Sequence, residues 1–146
     1  MSDSASIVTT FFRLMEAGDV DGAMDLMTED AVWINVSLPT VRGRQRIERA
    51  VRLMMGRVEF RAHMHHVAPE SDAVVLTERT DELALGRFMP RFWVYGRFEL
   101  RDGKIAVWRD AFDWLDLAVS VIRAAVGSVV PALNRPWPGG SLPPAE

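Results

Sequence analysis

The spacing of apolar residues divides the chain into a helical first third and a strand-rich remainder. Ile7, Phe11, Leu14 and Met15 recur at i, i+4, i+7 and i+8, the stripe of an amphipathic helix, and Gly18 stands where a left-handed cap would end it. Asp19 is a residue type that accepts a bond from the free N–H groups of a helix start. Val20, Ala23, Met24 and Met27 then keep helical spacing, which predicts a second short helix closed by Thr28-Glu29-Asp30. Residues 31–36 alternate with a β-branched bias, as in a strand that carries Trp33 and Asn35 on one face and Val32, Ile34 and Val36 on the other. Leu38-Pro39 and Gly43 break the chain, after which Ile47, Val51, Met54 and Met55 predict a third helix over 44–55 with arginines on its remaining faces.

Beyond Gly56 the pattern gives four strands, over 58–67, 73–84, 92–100 and 104–112. Asp102-Gly103 between two of them favours a type I′ hairpin, since both turn positions need positive φ. Residues 113–130 return to helix, with Asp116, Ser120, Arg123 and Gly127 as a narrow polar stripe. So broad an apolar surface exceeds what one sheet face can cover, and a second subunit or a lid over a pocket would bury the rest. Asp116, Arg123 and Pro131 interrupt the segment too soon for a membrane span. The chain then reads as one domain over 1–133 and a Pro/Gly-rich tail over 134–146, expected to be mobile. Helices first and strands afterwards specify an α+β domain, with helices on one face of a strongly curved sheet whose concave side can hold a small ligand.

Composition narrows the function classes. A chain of 146 residues suits a single core. With 49% apolar residues, 25% charged residues and a net charge of −3, it is neither a disordered chain nor a coat for nucleic acid. The absence of cysteine excludes disulfides, thiolate catalysis and sulfur-ligated zinc. The first residues lack the basic and apolar regions of an export signal, so a cytoplasmic location is expected.

Strand alternation identifies the candidate chemistry. Arg79 and Asp81 emerge on one face with Thr77 and Leu83, and Asp110 shares its face with Ala106, Trp108 and Phe112. A carboxylate among apolar neighbours is costly unless a partner or a proton compensates it. Two carboxylates and a guanidinium meeting in one pocket could push a proton onto an oxygen while pulling one from water. Alternation does not say which face is inward, and a half-exposed Arg79–Asp81 ion pair on the solvent side is the plain alternative. His63 and His65 share a face, but two imidazoles without an acidic cluster nearby do not make a metal site, and none is expected. The arginines from Arg42 to Arg61 interleave with Glu48 and Glu59 and have no aromatic platform, so they read as a solvated face and not as a nucleic-acid surface. The Phe11-Phe12 and Met54-Met55 pairs read as core, with the methionines able to border a cavity.

The runs Leu76-Thr77-Glu78-Arg79-Thr80-Asp81, Phe92 to Leu100, Asp102-Gly103-Lys104-Ile105 and Trp108-Arg109-Asp110-Ala111-Phe112-Asp113 resemble the limonene-1,2-epoxide hydrolase family. Upstream, Trp33-Ile34-Asn35 and Gly43-Arg44 fall where that family has its water-holding strand, so the resemblance covers roughly residues 7–130. The chain resembles the mycobacterial branch in its Arg-Gly-rich third helix and its long apolar C-terminal helix ending near Val130-Pro131. The resemblance implies a cone-shaped fold of the nuclear-transport-factor-two and ketosteroid-isomerase type, built on a curved mixed or antiparallel sheet. It also implies cofactor-free, one-step hydrolysis of a small apolar epoxide, terpene, lipid or sterol-like, by water, in a homodimer.

By position, Asp81 would be the general acid, Asp110 the general base, Asn35 the holder of the water and Arg79 the bridge between the carboxylates. Trp33 stands where the family usually has a tyrosine that also holds the water, and an indole donates a hydrogen bond but accepts none. Ala111 replaces a bulky residue that points away from the face of Asp110. An isomerase-like or purely small-molecule-binding member of the same fold is the alternative.

Overall fold

The computed structural model describes residues 3–139. Helices α1 (Asp3–Glu16) and α2 (Val20–Asp25) lead into strand β1 (Met27–Asn35), and the short β2 (Val41–Arg42) precedes helix α3 (Arg44–Met55). Strands β3 (Glu59–Pro69), β4 (Val74–Ala84), β5 (Arg91–Arg101) and β6 (Lys104–Phe112) follow as an antiparallel meander, and helix α4 (Trp114–Gly127) comes last, before a 3-10 turn at Pro131–Leu133. The six strands form one sheet in the order β2-β1-β6-β5-β4-β3. It is mixed because β1 joins β6 in parallel, so the α+β cone expected from the sequence is the fold observed.

Local sequence accounts for the element ends. Gly18, at φ +74°, lets its own N–H bond Met15 O and the Asp19 N–H bond Leu14 O, which closes α1. The Asp19 carboxylate then accepts from the Gly22 N–H as the N-cap of α2. Asp102 and Gly103 both have positive φ, the type I′ geometry that joins β5 to β6 without splaying them.

The core lies between the helices and the inner sheet face. Phe11 and Phe12 of α1 meet Phe98 of β5 and Trp108 of β6 edge-on or tilted, at centroid distances of 5.1 to 6.4 Å. Each such side chain contributes about 1.5–3 kcal/mol by burial, and edge-to-face contacts add about 1 kcal/mol. Phe11-Phe12 is therefore core, as read from the sequence, and Met55 packs against the same cluster.

Three expectations change. Met27 belongs to β1 and not to α2: helical spacing continues to it, but the helix stops at Asp25, and Met27, fully buried, pairs with Ile105. Pairing with β6 overrides a weak local pattern, and a register irregularity between Met27 and Val32 absorbs the mismatch. The second change is in α4, which turns its small and polar stripe inward. Ser120, Ala124 and Gly127 are buried, while Leu115, Ile122 and, just past the helix end, Val129 are 74%, 64% and 79% exposed. The third is at the beginning of the expected tail. The Asn134 amide donates to Met89 O (3.1 Å), the Arg135 guanidinium donates to Asp116 (2.7 Å) and to Arg91 O (3.0 Å), and Trp137 lies 4.2 Å from the Arg61 guanidinium. The remainder of that tail, 140–146, lies outside the described residues.

Candidate active site

Strand pleating brings Arg79 and Asp81 of β4, Asp110 of β6 and Asn35 and Trp33 of β1 to the concave face. Arg79 is completely buried, so its charge must be met by protein groups. Its Nε donates to Asp81 Oδ1 (2.8 Å) and its Nη2 to both Asp81 Oδ2 (3.1 Å) and Asp110 Oδ2 (2.7 Å). One flat guanidinium thus holds two carboxyl groups from different strands. Phe12 faces it at 4.6 Å, adding a cation–π contact. The half-exposed ion pair that the sequence allowed is not what forms.

Burial raises Asp81 from an ordinary value of 3.8 to about 6, against the opposing pull of Arg79. Removing a carboxylate from water outweighs a single shared cation. Burial also works against the charge of Arg79, but Asp110 and Asp81 outweigh it and hold the guanidinium above its usual range. With both acids ionised the buried trio would carry a net negative charge, and a proton on Asp81 neutralises it.

Asp110 has its two oxygens in different surroundings. Oδ2 accepts from Arg79 and also from Trp108 Nε1 (2.9 Å). Oδ1 is buried with no hydrogen-bond partner, and so is Trp33 Nε1. Both residues line one cavity of about 270 Å³, together with Asn35 and Asp81. Its other walls include Met15, Leu38, Met54, Phe60, Leu83 and Leu117, so the polar atoms converge at the floor of an apolar hollow. An unpaired acceptor and an unpaired donor, both buried and both on residues that line that hollow, are what a water or alcohol oxygen reaching them would satisfy. Trp33 and Trp108, paired in register on β1 and β6, stack at 4.5 Å and 14°, and Asn35 is the register partner of Asp110.

A larger polar depression, about 350 Å³, lies at the start of α3 between Glu29 and Arg46 and contains none of these groups. Chemistry and not size marks the site. His63 and His65 lie at 5.0 Å between centroids, with His65 stacked on Trp93 and bonded to Thr80 Oγ1 (2.8 Å), and no group of residues able to hold a metal ion occurs among the described residues. In the basic stretch Arg52 pairs with Glu48 and Asp21, while Arg61 donates to the buried Glu82.

Sequence reasoning placed Trp108 on the face of Asp110 but gave it no role, although its i, i+2 spacing from Asp110 was the signal for the Nε1 bond. Thr77, whose Oγ1 accepts weakly from Arg79 Nη1 (3.5 Å), and Phe12 were likewise not seen as supports of the guanidinium.

A cone-shaped α+β domain in which a buried arginine joins two aspartates that line an apolar cavity defines the class of protein. Within that class, the family model of the limonene-1,2-epoxide hydrolase catalytic domain matches residues 2–123, and the chain belongs to that family. It is 39% identical over 127 residues to the epoxide hydrolase EphG of Mycobacterium tuberculosis, covering 87% of this chain and 85% of the relative. Among solved structures it resembles an LEH-like epoxide hydrolase of M. tuberculosis, with a TM-score of 0.87 and 36% identity over 92% of this chain and 96% of the other. The fold is also that of SalBIII, an epoxide hydrolase/cyclase-like enzyme of pyran ring formation in salinomycin, at a TM-score of 0.69 and 22% identity over 76% and 91% of the two chains.

Proposed function

We propose that this protein is an epoxide hydrolase that opens a small apolar epoxide, of terpene, lipid or sterol-like character, to a vicinal diol by direct attack of water. The observation that carries the reading is the buried, unpaired Oδ1 of Asp110, a residue that lines the same apolar cavity as an Asp81 whose carboxyl group is raised to about 6. In this reading Asp81 gives its proton to the epoxide oxygen as the C–O bond breaks, and Asp110 Oδ1 takes one from the water whose oxygen bonds to carbon. Trp33 Nε1 donates to one lone pair of that water and leaves the other for carbon, while the carbonyl oxygen of Asn35 accepts a hydrogen bond from its second O–H, which stays in the diol. Arg79 keeps both carboxyl groups in register throughout. A net proton shift from Asp110 to Asp81 resets the site, and the chemistry asks for no cofactor.

The exposed apolar row of Leu115 and Ile122 on α4, with Val129 just beyond its end, supports a homodimer. No helix of the described residues is long and apolar enough to cross a membrane. The Trp33 indole, which cannot accept a hydrogen bond from water, favours a second reading as a small-molecule-binding member of the fold.

Turnover of a panel of apolar epoxides by the wild type, with Asp81→Asn and Asp110→Asn as controls, separates the two. Each variant is expected to lose about 100-fold or more in kcat, the usual worth of a positioned acid or base. The wild-type rate is expected to fall as pH rises through about 6, because the acid must carry its proton. No turnover of any epoxide would leave the binding reading in its place.

A further inference from the structure

We propose that Gly96 is a positioning residue of this site, its missing side chain being the gap in β5 across which Arg79 reaches Asp110. Thr77, Gly96 and Asp110 lie abreast on β4, β5 and β6 in the sheet register. Adjacent strands are about 4.8 Å apart, so a whole strand separates the carboxyl groups that Arg79 joins. The guanidinium crosses that strand at Gly96. A Cβ there would lie 2.5 Å from Thr77 Oγ1, 2.6 Å from Arg79 Nη1 and 3.0 Å from Phe98 Cε2.

Backbone conformation does not require this glycine, since its φ is not among the positive ones. Glycine inside a strand weakens it and gives no side chain to pack, so its use marks a close approach. Arg79 cannot yield easily: it is fully buried, with the Phe12 ring 4.6 Å away. The guanidinium is planar and rigid, so pushing Nη1 swings Nη2 and Nε with it. Those are the nitrogens that hold Asp81 and Asp110.

The inference rests on the hydrolase reading for its kinetic test and carries a second readout that needs no substrate. In Gly96→Ala, turnover of limonene-1,2-epoxide is expected to lose roughly 10- to 100-fold in kcat, the scale of a misplacement near 1 Å, with KM within about twofold. Arg79 lowers the Asp81 value, so the carbon-13 titration of the Asp81 carboxyl in the substrate-free variant is expected to move to higher pH. Val75→Ala, a buried core truncation on the neighbouring strand β4, serves as the stability control: its Tm falls while kcat and the titration stay with the wild type. Should Gly96→Ala alone not fold, Gly96→Ala/Thr77→Ala, with one of the close contacts removed, is expected to show the same two changes. An unmoved Asp81 titration, or a kcat within twofold of wild type while Asp81→Asn and Asp110→Asn are inactive, overturns the role of Gly96 and leaves the hydrolase reading intact. A wild type that turns over no epoxide removes that reading, and the titration then decides on Gly96 alone.

Discussion

At the scale of single residues, the distinctive feature is a carboxyl group whose burial outweighs a bidentate arginine. The folded value of Asp81, about 6, lies above its ordinary 3.8, so Asp81 contributes stability that is fully present below 3.8 and lost as pH rises through about 6. Between pH 4.5 and 7 the wild type should lose about 2 kcal/mol relative to Asp81→Asn, which urea unfolding at the two pH values measures. A constant difference would mean that Arg79 dominates Asp81. Trp33 makes a second residue-scale test. In Trp33→Phe the ring that stacks on Trp108 remains while the unpaired buried donor is lost, so kcat should fall by about 3- to 10-fold with little change in Tm. Unchanged kinetics would remove the indole from the water site. Alternation grouped Arg79 with Asp81 and Trp108 with Asp110, because a period of two is a local property. Which face was inward was not local, and neither was the shift that burial imposes on Asp81.

At the scale of elements, the strands were easier to read than their neighbours. The span expected for β6, 104–112, is the one observed, and α3 also has its expected limits, since strong periodicity and clear breakers bound both. The α2–β1 boundary was not legible: Met27 satisfies helical spacing, and only its pairing with Ile105 makes it a strand residue. The pattern of α4 was correct, but its orientation was not available from sequence. Ser120, Ala124 and Gly127 are small enough for close approach to the body of the domain, with Gly127 against Asn134, and the larger apolar residues, apart from the cavity-lining Leu117, are left outside. If that outer row is a subunit contact, Ile122→Glu should convert a dimer to a monomer in light scattering, since burying an unpaired charge costs several kcal/mol. A wild type that is itself monomeric at high concentration would dismiss the dimer.

At the scale of the whole molecule, the site depends on three strands that are distant in sequence and adjacent only because the meander and the parallel β1 close one sheet. Arg79 spans β4 to β6 across β5, while β1 adds Asn35 and Trp33 from the far side of β6. Resemblance in the sequence anticipated this assembly and the family. The room made by Gly96 and the bond from Trp108 to Asp110 needed coordinates, because they are relations between strands. The central claim is that water, activated by Asp110, attacks the epoxide directly while Asp81 protonates the oxygen. A single turnover in oxygen-18 water, with enzyme in excess over epoxide, tests it. The account predicts a diol that carries the label and a protein that carries none. An unlabelled diol from the first turnover, with label appearing in an aspartate carboxyl group, would mean that an ester with the protein forms first and would contradict it.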